Sequence, residues 1–467
     1  MTVLQPWCVL CLLANDPAVD RASELALAAS VEPERAQRRV RELVALGPRM
    51  GGTKSGDAAA EYIAKALREI GLDVCVIDDP EKNAYQPLSW KLTARKLGSE
   101  SAPRALDRAW PWLFSPDCKG SVELALESRA GVAWLTDKVM RGESNAAAVL
   151  VDGSVTLDGS FPRPHSVREG SKQACFGISR EEGVLLRDWL ASGAVVQIDF
   201  ELDGEARKSG PKTVVARLPG AEASAQSWTA PYFLFCAHGD SDSGGPGADD
   251  NASGVATVIE IATAWKRAID SVQAPPPARE VRFAVWGSEI FSTNAYLKSR
   301  VPSEGALLGV INYDQSGFGS GADQLNVEPD DLPGNVGLVR ALAAVLADFA
   351  PKDAEKPGDF PARWATNKSL GGTDSYCFSS SSYFKEGQLP SVTVFTSAWG
   401  SPDEHKKTAG MPGESWRERE HVSVDYDLYY HSAGDTPENT TDKEPWNMAW
   451  CARVGMIGAA RYLAELK

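Results

Sequence analysis

The amino-acid sequence predicts an α/β fold, a central β-sheet flanked by helices and interrupted by a mainly-β insert. Three observations predict it. Apolar runs of strand length recur at residues 213–220, 232–237, 281–286 and 306–313. Segments with apolar residues at helical spacing accompany them, at residues 34–46, 57–70 and 254–269. Between residues 85 and 210 that periodicity fades, and Trp, Ser, Pro and Gly punctuate short β-like runs.

The first helical segment carries Val40, Leu43 and Val44 on one face and ends at Gly47-Pro48-Arg49. A second helix starts at Asp57, buries Ile63, Ala66, Leu67 and Ile70, and stops at Gly71. Residues 72–77 then read as a strand. In the insert the clearest strands are residues 132–135, 147–151 and 194–202. The helix at 254–269 presents Val255, Val258, Ile259, Ala262 and Trp265, with Asp250 or Asn251 placed to cap it. Ala274-Pro275-Pro276-Pro277 is a surface loop. Residues 397–429 form a long irregular segment expected to line a pocket, and residues 445–466 a final docking helix. The chain divides into an N-terminal extension (1–30), a main domain (31–84 and 211–467) and the insert (85–210).

The segment FLFCAHGDSDSGGPGADDNASG, from Phe233 to Gly254, carries the chemistry. A buried strand ends in His238-Gly239-Asp240, a Gly/Ser-rich loop follows, and Gly247-Ala248-Asp249-Asp250-Asn251 leads into a helix. A neutral imidazole nitrogen and charged carboxylate oxygens on glycine-rich loops at a strand exit are what a zinc site needs. Three further groups follow strand-like runs: Gly287-Ser288-Glu289, Asp314 and Tyr430-His431-Ser432-Ala433-Gly434-Asp435. In open α/β sheets ligands sit beyond the carboxyl ends of the strands, so these placements agree with one another.

Order and spacing resemble the co-catalytic zinc aminopeptidase family, whose relatives include glutamate carboxypeptidases, the transferrin receptor and glutaminyl cyclases. The resemblance runs from about residue 35 to the C-terminus, and the GADDNASG octet with the upstream HxD carries most of it. It implies a zinc exopeptidase-like fold with a mixed sheet, and a protease-associated domain as the insert. It implies one or two zinc ions per chain. His238, Asp249, Asp314 and His431 are the expected ligands, with Asp249 bridging two metals and a cis bond between Asp249 and Asp250. Asp240 orients the His238 ring. Gly371-Gly372-Thr373-Asp374-Ser375 is similar to the family's Ser-Asp-His segment, which places Asp374 near substrate and puts Ser375 where the family has histidine. Asp435 is expected beside the ligands.

One departure stands out. The family reads Gly-small-Glu-Glu after the third strand, the first Glu a general base and the second a ligand. This chain reads Gly287-Ser288-Glu289-Ile290. Two registers follow, Glu289 as base with Ile290 in the ligand's place, or Glu289 as ligand with no base. In the first, the second metal keeps only Asp249 and His431, unless Asp242, Asp435 or Glu438 lends a carboxylate.

The 48 basic and 63 acidic side chains leave a net charge of −15, which argues against nucleic acid or an anionic membrane as partner. No run approaches the roughly 18 apolar residues of a membrane span. The apolar start of the chain lacks a basic n-region and a clear cleavage site, an expectation that slightly favours the cytoplasm over export. Cys8-x-x-Cys11 has no partner pair. The expected function is a zinc metallo-aminopeptidase that releases N-terminal residues from a peptide substrate. Two alternatives stay open: a binding protein of the transferrin-receptor type and a single-zinc cyclase like glutaminyl cyclase.

Overall fold

The fold was analysed in a computed structural model. It describes residues 20–100, 102–124, 126–127, 131–132, 148–156, 158–221, 228–241, 244–319, 325–329, 333–351, 358–366, 372–380, 384, 389–396 and 427–466. The loop expected at 397–429 lies outside the described residues save for 427–429, and Cys8, Cys11 and Asp242 lie outside them too.

Eight strands make the central sheet: β1 (Asp73–Asp78), β2 (Lys212–Leu218), β3 (Tyr232–His238), β4 (Glu280–Trp286), β5 (Leu307–Tyr313), β6 (Leu325–Pro329), β7 (Trp364–Thr366) and β8 (Ser391–Phe395). They lie in the order β1-β2-β4-β3-β5-β8-β6-β7. The pairs β4/β3, β3/β5 and β5/β8 are parallel, while β1, β2 and β6 join antiparallel, so the sheet is mixed.

Helices α1 (Arg21–Ala29), α2 (Pro33–Val44), α3 (Lys54–Glu69), α4 (Gly254–Asp270), α5 (Phe291–Ser299), α6 (Asn335–Phe349), α7 (Asp374–Ser380) and α8 (Asn447–Glu465) cover it. Alternate residues of β3 serve the two faces. Phe233, Phe235 and Ala237 pack in one core with α4 and α8, and Tyr232, Leu234 and Cys236 in the other with α5 and α7. From β3 the chain passes through α4 to β4 on one side, then through α5 to β5 on the other. The carboxyl end of β3, where His238 sits, is therefore the topological switch point of the sheet.

Two boundaries differ from the sequence reading. The second helix begins at Lys54 rather than Asp57, because the Thr53 hydroxyl accepts the Gly56 amide at 3.1 Å and caps it there. Residues 21–29, expected in an extension, form α1, and its Leu27 and Ala28 join the main core. Asn251 caps α4 as expected, accepting the Gly254 amide at 2.9 Å.

Between β1 and β2 the chain builds sheets of its own. Strands Lys82–Lys96 and Val196–Ser209 pair along their length, flanked by Cys118–Glu123 and Arg104–Ala105. A three-stranded sheet (Trp110–Pro111, Ala174–Gly177, Ala148–Val151) and the helix Arg180–Ala191 complete a separate core around Leu92, Phe176, Ile178, Leu186 and Ile198.

Candidate metal centre

Four loops at the carboxyl edge of the sheet deliver the functional side chains. His238 ends β3 and is almost wholly buried. Its Nδ1 lies 3.1 Å from the Asp240 carbonyl and 3.3 Å from Asp240 Oδ1, both acceptors, so the ring carries its proton there. Nε2 then presents a lone pair to Asp250 Oδ1 at 3.3 Å and Asp314 Oδ1 at 3.4 Å. Neither His238 Nε2 nor Asp314 Oδ1 has a hydrogen-bond partner among the described residues. A lone pair facing two carboxylates at that range repels unless a cation or proton lies between them. The donor set of imidazole and carboxylates suits a divalent metal. Glu289 joins the cluster: ligand atoms of His238, Glu289 and Asp314 all lie within 4.8 Å of one another.

The carboxylate that stands between the two histidines is that of Asp250, not of Asp249. Asp250 Oδ1 faces His238, and its Oδ2 lies 3.1 Å from His431 Nε2, so one carboxylate spans both histidines. Asp249 turns inward instead. Its Oδ1 accepts the Gly317 amide at 2.8 Å and its carbonyl accepts the Ser253 hydroxyl at 2.7 Å. The cis peptide correspondingly joins Asp250 to Asn251 rather than Asp249 to Asp250. Adjacent aspartates in a loop without periodicity look alike in sequence; only the direction of the backbone separates them.

The loop bearing Asp250 is braced from both sides. Asp435 accepts the amides of Asp249 at 2.8 Å and Asp250 at 3.0 Å, one on each oxygen. Its carboxylate is thus committed to the loop and does not lend itself to a second metal, and Glu438 is exposed. Arg49, buried to 1% exposure, donates to the carbonyls of Gly239 at 3.2 Å, Pro246 at 2.9 Å and Gly247 at 2.6 Å. Gly247 adopts φ +62°, and a side chain there would meet the Arg49 guanidinium. Sequence reading placed Arg49 only at a helix end. Its signal was a charged residue inside LxxLGPRxxG, with no mark of the loop 190 residues on that it holds.

Glu289 is held through its backbone. Its amide donates to Asp240 Oδ1 at 2.9 Å, and the next amide, of Ile290, donates to Asp374 Oδ1 at 2.7 Å. Thr293 also donates to Asp374. Asp374 Oδ1 therefore fixes the start of α5 and the turn carrying Glu289, while its buried Oδ2 has no hydrogen-bond partner among the described residues. Ser375 is buried, its hydroxyl paired with that of Thr393 at 2.7 Å. Ile290, where a second Glu was expected, has φ +56° and is 37% exposed.

Electrostatics follow from crowding acids around two rings. Burial opposes a charge on His238, yet Glu289 and Asp314 beside it hold its pKa well above the usual value. Burial works to raise Asp250, but His238 and His431 keep it below the ordinary carboxylate range. Glu289 is pushed well above that range, by burial first and then by Asp314 and Asp374. Burial lifts Asp374 and Asp435 each to about 6.

Residues 213–455, more than half of the chain, match the family model described as Peptidase family M28. The chain is 27% identical over 267 residues to probable lipoprotein aminopeptidase LpqL of Mycobacterium tuberculosis, covering 52% of this chain and 49% of that protein. It is 27% identical over 245 residues to probable leucine aminopeptidase 2 of Aspergillus fumigatus, covering 50% and 42%. The chain thus spans about half the length of the curated relatives it matches, or less. Among solved structures it is similar to a peptidase M28 precursor from Shewanella amazonensis, at TM-score 0.61 and 17% identity, covering 96% and 97% of the two chains. It is also similar to a zinc aminopeptidase from Bacillus subtilis, at TM-score 0.54 and 16% identity, covering 92% and 94%. At those identities the structural likeness speaks for the fold, while the family match carries the assignment: this chain belongs to peptidase family M28.

Proposed function

We propose that the protein is a zinc-dependent aminopeptidase that removes N-terminal residues from peptides. The observation that carries the reading is the His238 ring, with Nδ1 committed to Asp240 and a bare Nε2 aimed at the carboxylates of Asp250 and Asp314. His238, Asp250 and Asp314 would hold one zinc with three protein ligands, the number that leaves a position open for chemistry. A zinc held there would supply a Lewis acid for the scissile carbonyl and would lower the pKa of water toward neutrality. Membership of a peptidase family and the names of the matched relatives support peptide hydrolysis at a free amino terminus.

Glu289 acts as general base, taking the proton of the attacking water and passing it to the leaving amine. Its place supports this register. A Glu filling the second ligand position belongs beside His431, whereas Glu289 groups with His238 and Asp314. Asp240 and Asp374 grip the amides on either side of its Cα and keep the carboxylate aimed. Asp250 and His431 form a second pole with two donors, so a second zinc binds there more weakly than the first. We read the insert as a protease-associated domain flanking the cleft.

Arylamide substrates with free and with blocked amino termini test this reading. Cleavage confined to the free form, lost on chelation and restored by zinc, is the expected result. Equal cleavage of both forms rules out an exopeptidase.

A further inference from the structure

The insert touches both loops that carry the second pole. Its tip, residues 154–163, is closed by backbone bonds from Arg163 to the Ser154 carbonyl and from Thr156 to the Phe161 carbonyl, and by Asp158, which accepts from Thr156, the Ser160 amide and the Ser160 hydroxyl. The tip presents Phe161 and Pro162 to residues 429–434. The Phe161 ring meets Tyr429 edge-on, with centroids 5.8 Å apart and planes at 74°. The Pro162 carbonyl accepts the Ala433 amide at 3.0 Å. Gly434 packs so closely that a Cβ there would fall 2.6 Å from a Phe161 ring carbon. On its outer side the Phe161 ring carries the Arg108 guanidinium, 4.3 Å from its centroid. A second contact reaches the loop before Asp250, where Trp110 Nε1 donates to the Gly244 carbonyl at 3.2 Å and Leu113 crowds Gly244.

His431 lies between these anchors, two residues after Tyr429 and two before Ala433. Its φ is +52°, in the left-handed region that is uncommon outside glycine, although histidine enters it more readily than most. Within the loop, Ser432 bonds back to the Tyr429 carbonyl through both its amide and hydroxyl. Those bonds shape the turn, and Asp435 ties its far end to the loop of Asp250 through the Asp249 and Asp250 amides. The insert adds the contacts that hold the turn on either side of His431, at Tyr429 and Ala433.

We propose that Phe161 and Pro162 are positioning residues for His431, so that the second metal position is built jointly by the main domain and the insert. The inference rests on His431 being a metal donor, as proposed above. It assigns the insert a part in metal retention, beyond flanking the cleft. Phe161 acts through the Tyr429 ring, and Pro162 through the Ala433 amide.

The test uses the full chain, wild type, Phe161→Ala and Phe161→Tyr, stripped of metal. Two readouts are taken: calorimetric titration with zinc, and amide hydrogen exchange without metal. For Phe161→Ala the weaker zinc step should lose about tenfold in affinity, in the range seen when groups behind a ligand are removed, while the stronger step stays within about twofold. Exchange at residues 429–434 should quicken, with the Gly239 amide, bonded to the Trp286 carbonyl at 2.7 Å, unchanged. Phe161→Tyr, which keeps the ring edge, should restore both. Unchanged exchange at 429–434, or equal weakening of both zinc steps, overturns the proposal. A wild type with a single zinc step removes the second metal from the proposed function, and the exchange readout alone then decides whether the tip holds His431.

Discussion

Asp249 and Asp250 are neighbours with opposite employment, and the difference can be measured. Asp250 spans His238 and His431, while Asp249 is tied to the Gly317 amide. Asp250→Asn should abolish tight zinc binding. Asp249→Asn should keep the metal and lower stability by about 1–3 kcal/mol, the cost of disturbing a buried hydrogen bond. The reverse pattern, read by metal content and thermal unfolding, would restore the bridging role to Asp249. Glu289→Gln should lower kcat by roughly 10²–10⁴-fold with zinc still bound; loss of the metal would make Glu289 a ligand instead. His238 adds a pH dependence. Its ring is held well above the usual pKa by Glu289 and Asp314 when no metal is present. Zinc must displace that proton, so affinity should rise with pH through neutrality and on toward the raised pKa, and binding should release protons. Titration in buffers of different ionisation enthalpy checks this; no proton release would mean the ring is already neutral.

At the level of elements, the ligand loops hold their shape through groups far away in sequence. Asp435 braces the amides of Asp249 and Asp250, and Arg49 ties together three carbonyls of the preceding loop. Asp435→Asn should weaken zinc binding by roughly 10–100-fold although the residue touches no metal. Unchanged affinity in a zinc titration would show that the loop keeps its shape unaided. The same elements show what the sequence makes legible. The strands exiting at His238, Trp286 and Tyr313 announce themselves as apolar runs, and α4 as an amphipathic helix with an Asn cap, because burial and periodicity are written locally. His238, Asp314 and Glu289 could be named because each follows such an element; His431 lies in a turn rather than after a strand, and the HSAGD stretch it opens is what marked it. The braces could not. Arg49 sits at a helix end, Asp374 beside paired glycines, and their partners lie dozens to hundreds of residues away, so nothing local marks them. Local pattern also misplaced the start of α3 by three residues, since the Thr53 cap outweighs the acidic residue that suggested a later start.

Seen whole, the molecule gathers these side chains at a place where the strand order of the sheet reverses. β3 lies between β4 and β5, and its end is the crevice that α4 and α5 leave open from opposite faces. Phe235, fully buried among Trp265, Phe283 and Tyr313, supports that strand, and Phe235→Ala should cost about 3–5 kcal/mol by denaturant unfolding. The central claim is that His238, Asp250 and Asp314 converge on a divalent cation. Its most direct test is the metal content of the protein purified without chelator, wild type beside Asp250→Asn. At least one zinc per chain in the wild type, lost in the variant, is the predicted outcome. A metal-free wild type that takes up no zinc when it is added, or an Asp250→Asn protein that keeps its full complement, would contradict the account.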